Sequence, residues 1–194
     1  MKRTLSVLAL FAALLLFGAA PLDAQQQPAK PRASLKAGVM QRIGTGTDIT
    51  IEYSRPGVKG RKIWGELVPY GLAPGNKSSN MKPFPWRGGA NENTTIRFST
   101  DVAIEGNKLP AGRYGVHFIP GESTWTVIFS KNDSSWGSYK YNEAEDALRI
   151  TVKPEKAPFE EWLTYGFDDL KDYSARAFLR WEELKVPFTV AVKQ

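Results

Sequence analysis

The sequence predicts an all-β fold: a single antiparallel β-sandwich of jelly-roll or immunoglobulin-like shape, with one long irregular loop region. Three observations predict it. Apolar and polar residues alternate with period two along at least seven short segments. Clusters of glycine, proline and asparagine separate several of them. No strand pattern alternates with helical patterns in the manner of a parallel doubly wound sheet. Strands with one wet face each belong to antiparallel sheets packed face to face.

The elements follow in chain order. Asp48 to Ser54 sets Ile49, Ile51 and Tyr53 on one face, with Thr50 and Glu52 on the other. Thr94 to Thr100 sets Ile96 and Phe98 against Thr95, Arg97 and Ser99. Arg113 to Ile119 aligns Tyr114, Val116 and Phe118, and Thr124 to Ser130 aligns Trp125, Val127 and Phe129. Ala147 to Lys153 aligns Leu148, Ile150 and Val152. Leu179 and Trp181 share a face, as do Val186, Phe188, Val190 and Val192, so Trp181 reads as core. Glu105-Gly106-Asn107, Pro110-Ala111-Gly112 and Pro120-Gly121-Glu122 are turns, and Gly44-Thr45-Gly46 reads as a hairpin-like turn. Helix is scarce: Ile63 to Tyr70 and Asn142 to Asp146 have room for a turn or two.

Before the strands stands a targeting pattern. Lys2 and Arg3 precede the apolar run Leu5 to Ala20, which Pro21, Leu22, Asp23 and Ala24 break. A charged start, a short apolar stretch and a small-residue exit are the parts of a secretory signal peptide. The run is shorter than the roughly 20 residues a spanning helix needs. Residues 1–24 are therefore expected to be cleaved, leaving an exported chain, periplasmic or extracellular, with no transmembrane segment. With no cysteine, no lipid anchor can follow the cut. Residues 25–33, QQQPAKPRA, read as a flexible leader, and 34–192 as the sandwich domain.

Composition excludes several chemistries. The absence of cysteine removes disulfides, thiolate nucleophiles, iron–sulfur clusters and cysteine zinc sites. A single histidine, His117, cannot build a multi-imidazole metal site. No metal and no cofactor are expected, although calcium held by carboxylates and carbonyls is not covered by that argument. Losing Lys2, Arg3 and Asp23 takes the formal net charge from +6 to +5, spread singly along the chain, so no nucleic-acid partner is expected. Oligomeric state is not legible. His117 alternates with Arg113 and Gly115, away from Tyr114, Val116 and Phe118, and reads as a strand residue on the less buried face. No nucleophile elbow accompanies it. The adjacent acids Glu160-Glu161, Asp168-Asp169 and Glu182-Glu183 point to opposite faces of any strand and do not converge.

The candidate site lies in the long stretch from Arg55 to Asn93. Loops of that length are uncommon in compact domains and often functional. It brings Arg55, Arg61 and Arg87 together with Trp64, Trp86, Asn91 and Glu92. Indoles give flat apolar contact, and a guanidinium fork grips carboxylate or phosphate. These seven residues are expected to bind a small polar or glycan ligand. The structural alternative is that the rings cover an open end of the sandwich while the arginines pair with carboxylates. Arg87, between Trp86 and Gly88-Gly89, reads as a loop arginine with little packing.

The blocks YSRPGVKGRKIWGELVPYG, WRGGANENTTI, LPAGRYGVHFIPG, WTVIFSKN with WGSYKYN, and LRWEELKVPF resemble the bacterial secreted Domain of Unknown Function family 2911. The resemblance runs from about Ala33 to Val192. It implies an exported bacterial envelope protein and no particular reaction. In the family, the PYG block passes to the WR-GAN block with few residues between, so Leu72 to Pro85 reads as an insertion here. Enzyme or not is left open. The leading expectation is a non-catalytic, envelope-associated binder of a small polar or glycan ligand. The alternatives are a glycan-directed hydrolase using Glu92 with a second carboxylate, and a structural or protein-interaction module.

Overall fold

A computed structural model describes residues 30–193. The expected signal peptide and residues 25–29 of the expected leader lie outside them. Ten strands form: β1 Leu35–Ile43, β2 Thr47–Arg55, β3 Thr94–Phe98, β4 Val102–Ile104, β5 Asn107–Leu109, β6 Gly112–Ile119, β7 Trp125–Ser130, β8 Asp146–Val152, β9 Glu155–Lys171 and β10 Ser174–Ala191. Two 3-10 turns, Lys77–Ser79 and Glu143–Glu145, are the helical elements among the described residues. The strands make two antiparallel sheets, ordered β1-β2-β3-β6-β7-β8 and β5-β4-β10-β9, and neither closes into a barrel.

The alternating segments become strands because each has one apolar face to bury. Ile49, Ile51, Ile96, Phe98, Phe118, Val127 and Phe129 from the larger sheet meet Leu163, Leu179, Trp181, Val186 and Phe188 from the smaller one in a single core. Phe129 and Phe188 touch edge to face across it, ring centres 5.7 Å apart. At about 25 cal/mol per Å² of apolar surface, these faces supply the main drive to fold. The first hairpin runs in unbroken register from Leu35↔Arg55 to Ile43↔Thr47, and its turn is the Gly44-Thr45-Gly46 the sequence marks.

Four strands exceed the sequence expectation. β1 mixes half-buried Ala37, Val39 and Gln41 with exposed Leu35 and Met40, so its alternation is blurred. β4 and β5 are three residues each around the expected turn at Glu105-Gly106. β9 carries Pro158 and two acidic pairs, and it is an edge strand bulged against β10, where a missing N–H and irregular register are tolerated. The expected helical turn at Ile63 to Tyr70 is instead a tight loop, with Val68 N–H bonded to Ile63 O and Gly65 N–H to Val68 O.

Candidate functional site

Four of the six tryptophans meet at one end of the sandwich. Trp125 comes from β7 and Trp181 from β10, one from each sheet, while Trp64 and Trp86 arrive from the long connection between β2 and β3. Trp86 stacks on Trp181 with ring centres 6.0 Å apart. Trp64 meets Trp86, Trp125 and Trp181 edge-on at 5.9, 5.1 and 5.9 Å. These are favoured arrangements of aromatic quadrupoles. The Trp64 indole N–H donates to Glu182 Oε2 at 3.0 Å, so its polar atom is satisfied.

Backbone pairing fixes where Trp86 stands. Trp86 and Phe118 exchange both main-chain hydrogen bonds, at 2.8 and 2.7 Å, and β3 pairs with the same strand from Thr94↔Val116. The chain from Arg87 to Asn93 is therefore an excursion that leaves β6 and rejoins it. Gly88 makes its root possible. Its φ is +59°, and a Cβ there would overlap the Phe118 ring and the Tyr165 hydroxyl, so no other residue fits. The Gly88 carbonyl accepts from Tyr165 Oη at 2.8 Å and Thr94 Oγ1 at 3.2 Å.

Arg87 is not a free loop arginine. It is half-buried, its Nη1 donates to Asn91 O across the excursion, and its guanidinium carbon lies 4.9 Å from the centre of the Tyr139 ring. A Cβ on Gly137 would overlap the guanidinium. The sequence misses this because Tyr139 and Gly137 come from the β7–β8 loop, about fifty residues downstream.

Over the Trp86 and Trp181 end opens a cleft of about 640 Å³. That lies inside the range of about 300–1,000 Å³ usual for small-ligand sites. Its walls are the segment after β2, the Leu67–Ala73 stretch, the Phe84–Asn91 stretch and Tyr139. Lys59, Arg61 and Arg87 line it, and no Asp or Glu does among the described residues. Arg61 Nε donates to Val58 O at 3.1 Å and Nη2 to Gly57 O at 2.6 Å, which orients the fork and leaves its other N–H groups without a partner among the described residues. Lys59 has φ +51°, and its main-chain N–H bonds Glu161 Oε1 at 2.9 Å.

Of the seven expected site residues, Arg61, Trp86, Arg87 and Asn91 line this cleft together. The other three do not. Arg55 Nε donates to Leu163 O at 2.9 Å and its Nη2 to Thr164 Oγ1 at 2.6 Å, stitching the end of β2 to β9. Trp64 packs beneath, among the other indoles. Glu92 lies in a second cleft of about 530 Å³, which Glu52, Arg113 and Asp133 also line. There the leader residue Arg32 grips it through two bonds of 3.1 and 2.6 Å, with Lys36 3.7 Å away. The Arg32 fork, aided by Lys36, holds the Glu92 carboxyl down at about 2. Lys59, Tyr139 and Trp181 join the cleft without having been singled out for it. Trp181 is legible only as core, and Tyr139 lies beyond the alternating segments.

His117 also departs from expectation. It does point away from the Tyr114/Val116/Phe118 face, but it is 2% exposed, because the β7–β8 loop crosses over it. Its Nδ1 is 2.7 Å from Ser138 Oγ, and Tyr141 meets it edge-on at 5.5 Å. Burial, with Arg87 nearby, pushes the imidazole down to about 4. This contact pins the loop that carries Tyr139.

The Leu72 to Pro85 segment is a pinched lobe. Ala73 and Phe84 exchange hydrogen bonds of 2.8 and 3.1 Å at its neck, and Asn76 caps the 3-10 turn at its tip. Its base contributes Ala73, Phe84 and Pro85 to the cleft wall, and Phe84 packs edge-on against Tyr139 at 5.1 Å. Among the described residues, no group of three His, Asp or Glu side chains is placed to hold a metal ion, and no helix is long and apolar enough to cross a membrane.

The family described as a protein of unknown function, DUF2911, matches residues 34–190, and the chain belongs to it. No curated protein and no solved structure matches the chain.

Proposed function

We propose that this is an exported, non-catalytic binding protein that holds a small anionic ligand, polar or glycan-derived, in the cleft beside Trp86. One observation carries the reading: three cations, Lys59, Arg61 and Arg87, line a cleft of ligand size, and among the described residues no Asp or Glu lines it. Such a site attracts an anion and has no acid–base pair to act on it. A hydrolase reading finds less support. Glycosidases flank the scissile bond with two carboxyl groups. Glu92 lies outside this cleft and, clamped by Arg32, stays ionised, so it has no proton to give. Export rests on the pattern of residues 1–24. A second reading, a protein partner docking beside the cleft, is favoured by exposed Leu67, Tyr70, Leu72 and Met81 along the same connection.

A thermal-shift titration of the purified protein with inorganic phosphate, small carboxylates, sugar acids and neutral sugars tests the reading. A ligand at about a hundredfold its Kd should stabilise the fold by about 2.7 kcal/mol. Anions should raise the melting temperature, neutral sugars should not, and Arg61→Gln should weaken the effect about tenfold in concentration. Equal responses to neutral and anionic sugars, or none to any anion, overturn it.

A further inference from the structure

Resting on that anion-binding reading, we infer that the ligand is a linear glycan bearing carboxylates on successive units, which passes out of the cleft across Gly57 and Lys59 onto the indole of Trp162. Trp162 is the neighbour of the cleft that the proposed function leaves unused. It is 40% exposed on β9, an edge strand. Gly57 links it to the cleft. Gly57 lines the cleft and pairs with Trp162 in an antiparallel bridge, and a Cβ on Gly57 would stand 3.1 Å from the indole. A side chain at position 57 would crowd both that ring and the Glu161 carboxylate, whose Oε1 would lie 2.9 Å from the Cβ.

Lys59 belongs to both places. It lines the cleft, and its Nζ lies 5.6 Å from the centre of the Trp162 ring, within cation–π range. A second cation–aromatic pair stands within the cleft, Arg87 on Tyr139 at 4.9 Å. Charge and flat ring are thus repeated at two positions joined by Gly57. A compact anion such as phosphate could use one of them. A chain of sugar acids uses both, because each unit offers a carboxylate to a cation and a C–H face to a ring. An indole presents just such a flat apolar surface with little side-chain entropy to lose.

The test is calorimetric binding of galacturonic acid and its dimer, trimer and pentamer, with neutral maltose oligomers of matching length as controls. Affinity should rise about tenfold from the acid monomer to the trimer and then level off. Trp162→Ala should abolish that rise while leaving monomer affinity unchanged, and Trp162→Tyr should restore most of it. The melting temperature of each variant shows that the fold is retained. Monomer binding with no gain in length, or a gain that survives Trp162→Ala, overturns the inference and leaves the anion site standing. Neutral oligomers binding as well as acidic ones overturn both the charge argument and the anion reading. Binding of phosphate without any sugar acid overturns the glycan class alone.

Discussion

At Trp181 one side chain closes the core and borders the cleft. It is 1% exposed, stacks on Trp86, and donates from Nε1 to Glu161 O at 3.3 Å. Trp181→Ala should cost about 3–5 kcal/mol in urea unfolding, the range for a buried aromatic. A loss under about 1 kcal/mol, the scale of surface changes, would contradict its place in the core. His117 makes a different prediction. Its imidazole titrates near 4 in the fold against about 6.5 in the unfolded chain. Between those values the unfolded state binds the extra proton, so stability falls as pH falls from about 6.5 to about 4. The gap corresponds to about 3 kcal/mol. Unfolding curves at pH 7 and pH 4 should show His117→Asn losing less on acidification than the wild type by roughly that amount. Parallel losses would mean the imidazole is already hydrated. Glu92 acts in a lower window: its depressed carboxyl stabilises the fold above about 4.3, and that contribution fades as pH drops toward about 2. The two effects therefore separate on the pH axis. The sequence orients His117 correctly on its strand. It does not show that Ser138 and Tyr141 return from the next loop to cover it, because that contact depends on tertiary path and not on periodicity.

Among the elements, the lobe from Leu72 to Pro85 is the one most separable from the fold. Ala73 and Phe84 form a mutually hydrogen-bonded pair, the geometry that closes a two-residue hairpin. Met81 at the tip is 69% exposed, and the cleft uses only the base of the lobe. Replacing Pro74–Pro83 by Asn-Gly should join Ala73 to Phe84 through a type I′ turn. The shortened protein should keep its melting temperature within a few degrees, since about 1 kcal/mol moves a domain this size by about 2–4 °C. Its anion response should be unchanged, because Phe84 still buttresses Tyr139 and Tyr139 still lies under Arg87. A lost response would show that the tip, and not only the base, shapes the cleft. The segment stands out in the sequence as surplus length within a familiar block order. The strands were legible wherever a clean two-residue period reached the core, as at Ile49, Ile51 and Tyr53. Strands β1 and β9 escaped because the apolar period is blurred in β1 by exposed Leu35 and Met40 and in β9 by Pro158 and bulges, which an edge tolerates, while the edge strand β8 kept a clean period and was legible.

For the molecule as a whole, the decisive feature is that one core serves both sheets and the site grows out of it. Sequence periodicity identifies the two apolar faces, and the Gly/Arg/Trp-rich connection marks the end where the cleft forms. It cannot say that Arg55 turns to β9 while Arg87 turns to the cleft, because those choices depend on the Leu163 carbonyl and the Tyr139 ring, which only the assembled sandwich brings near. The same interlock predicts how the protein comes apart. Trp125 holds the larger sheet, Trp181 the smaller, and Trp64 and Trp86 carry the connection, so no one of the three can detach without opening the indole cluster. Arg55 bonds β2 to β9 beside it, and across the same seam the Val58 N–H donates to Glu161 O and the Leu163 N–H to Pro56 O. Unfolding in urea should therefore be a single transition, with tryptophan emission and far-ultraviolet circular dichroism sharing one midpoint. If the connection were a loosely attached loop, the indole signal would move first while the sheets kept their dichroism. An emission midpoint clearly below the dichroism midpoint would show that the site melts as a unit of its own. If the proposed anion binds, it decides the matter further: in the coupled case it must raise both midpoints together, because a ligand on Arg61 and Arg87 would stabilise whatever unfolds with them.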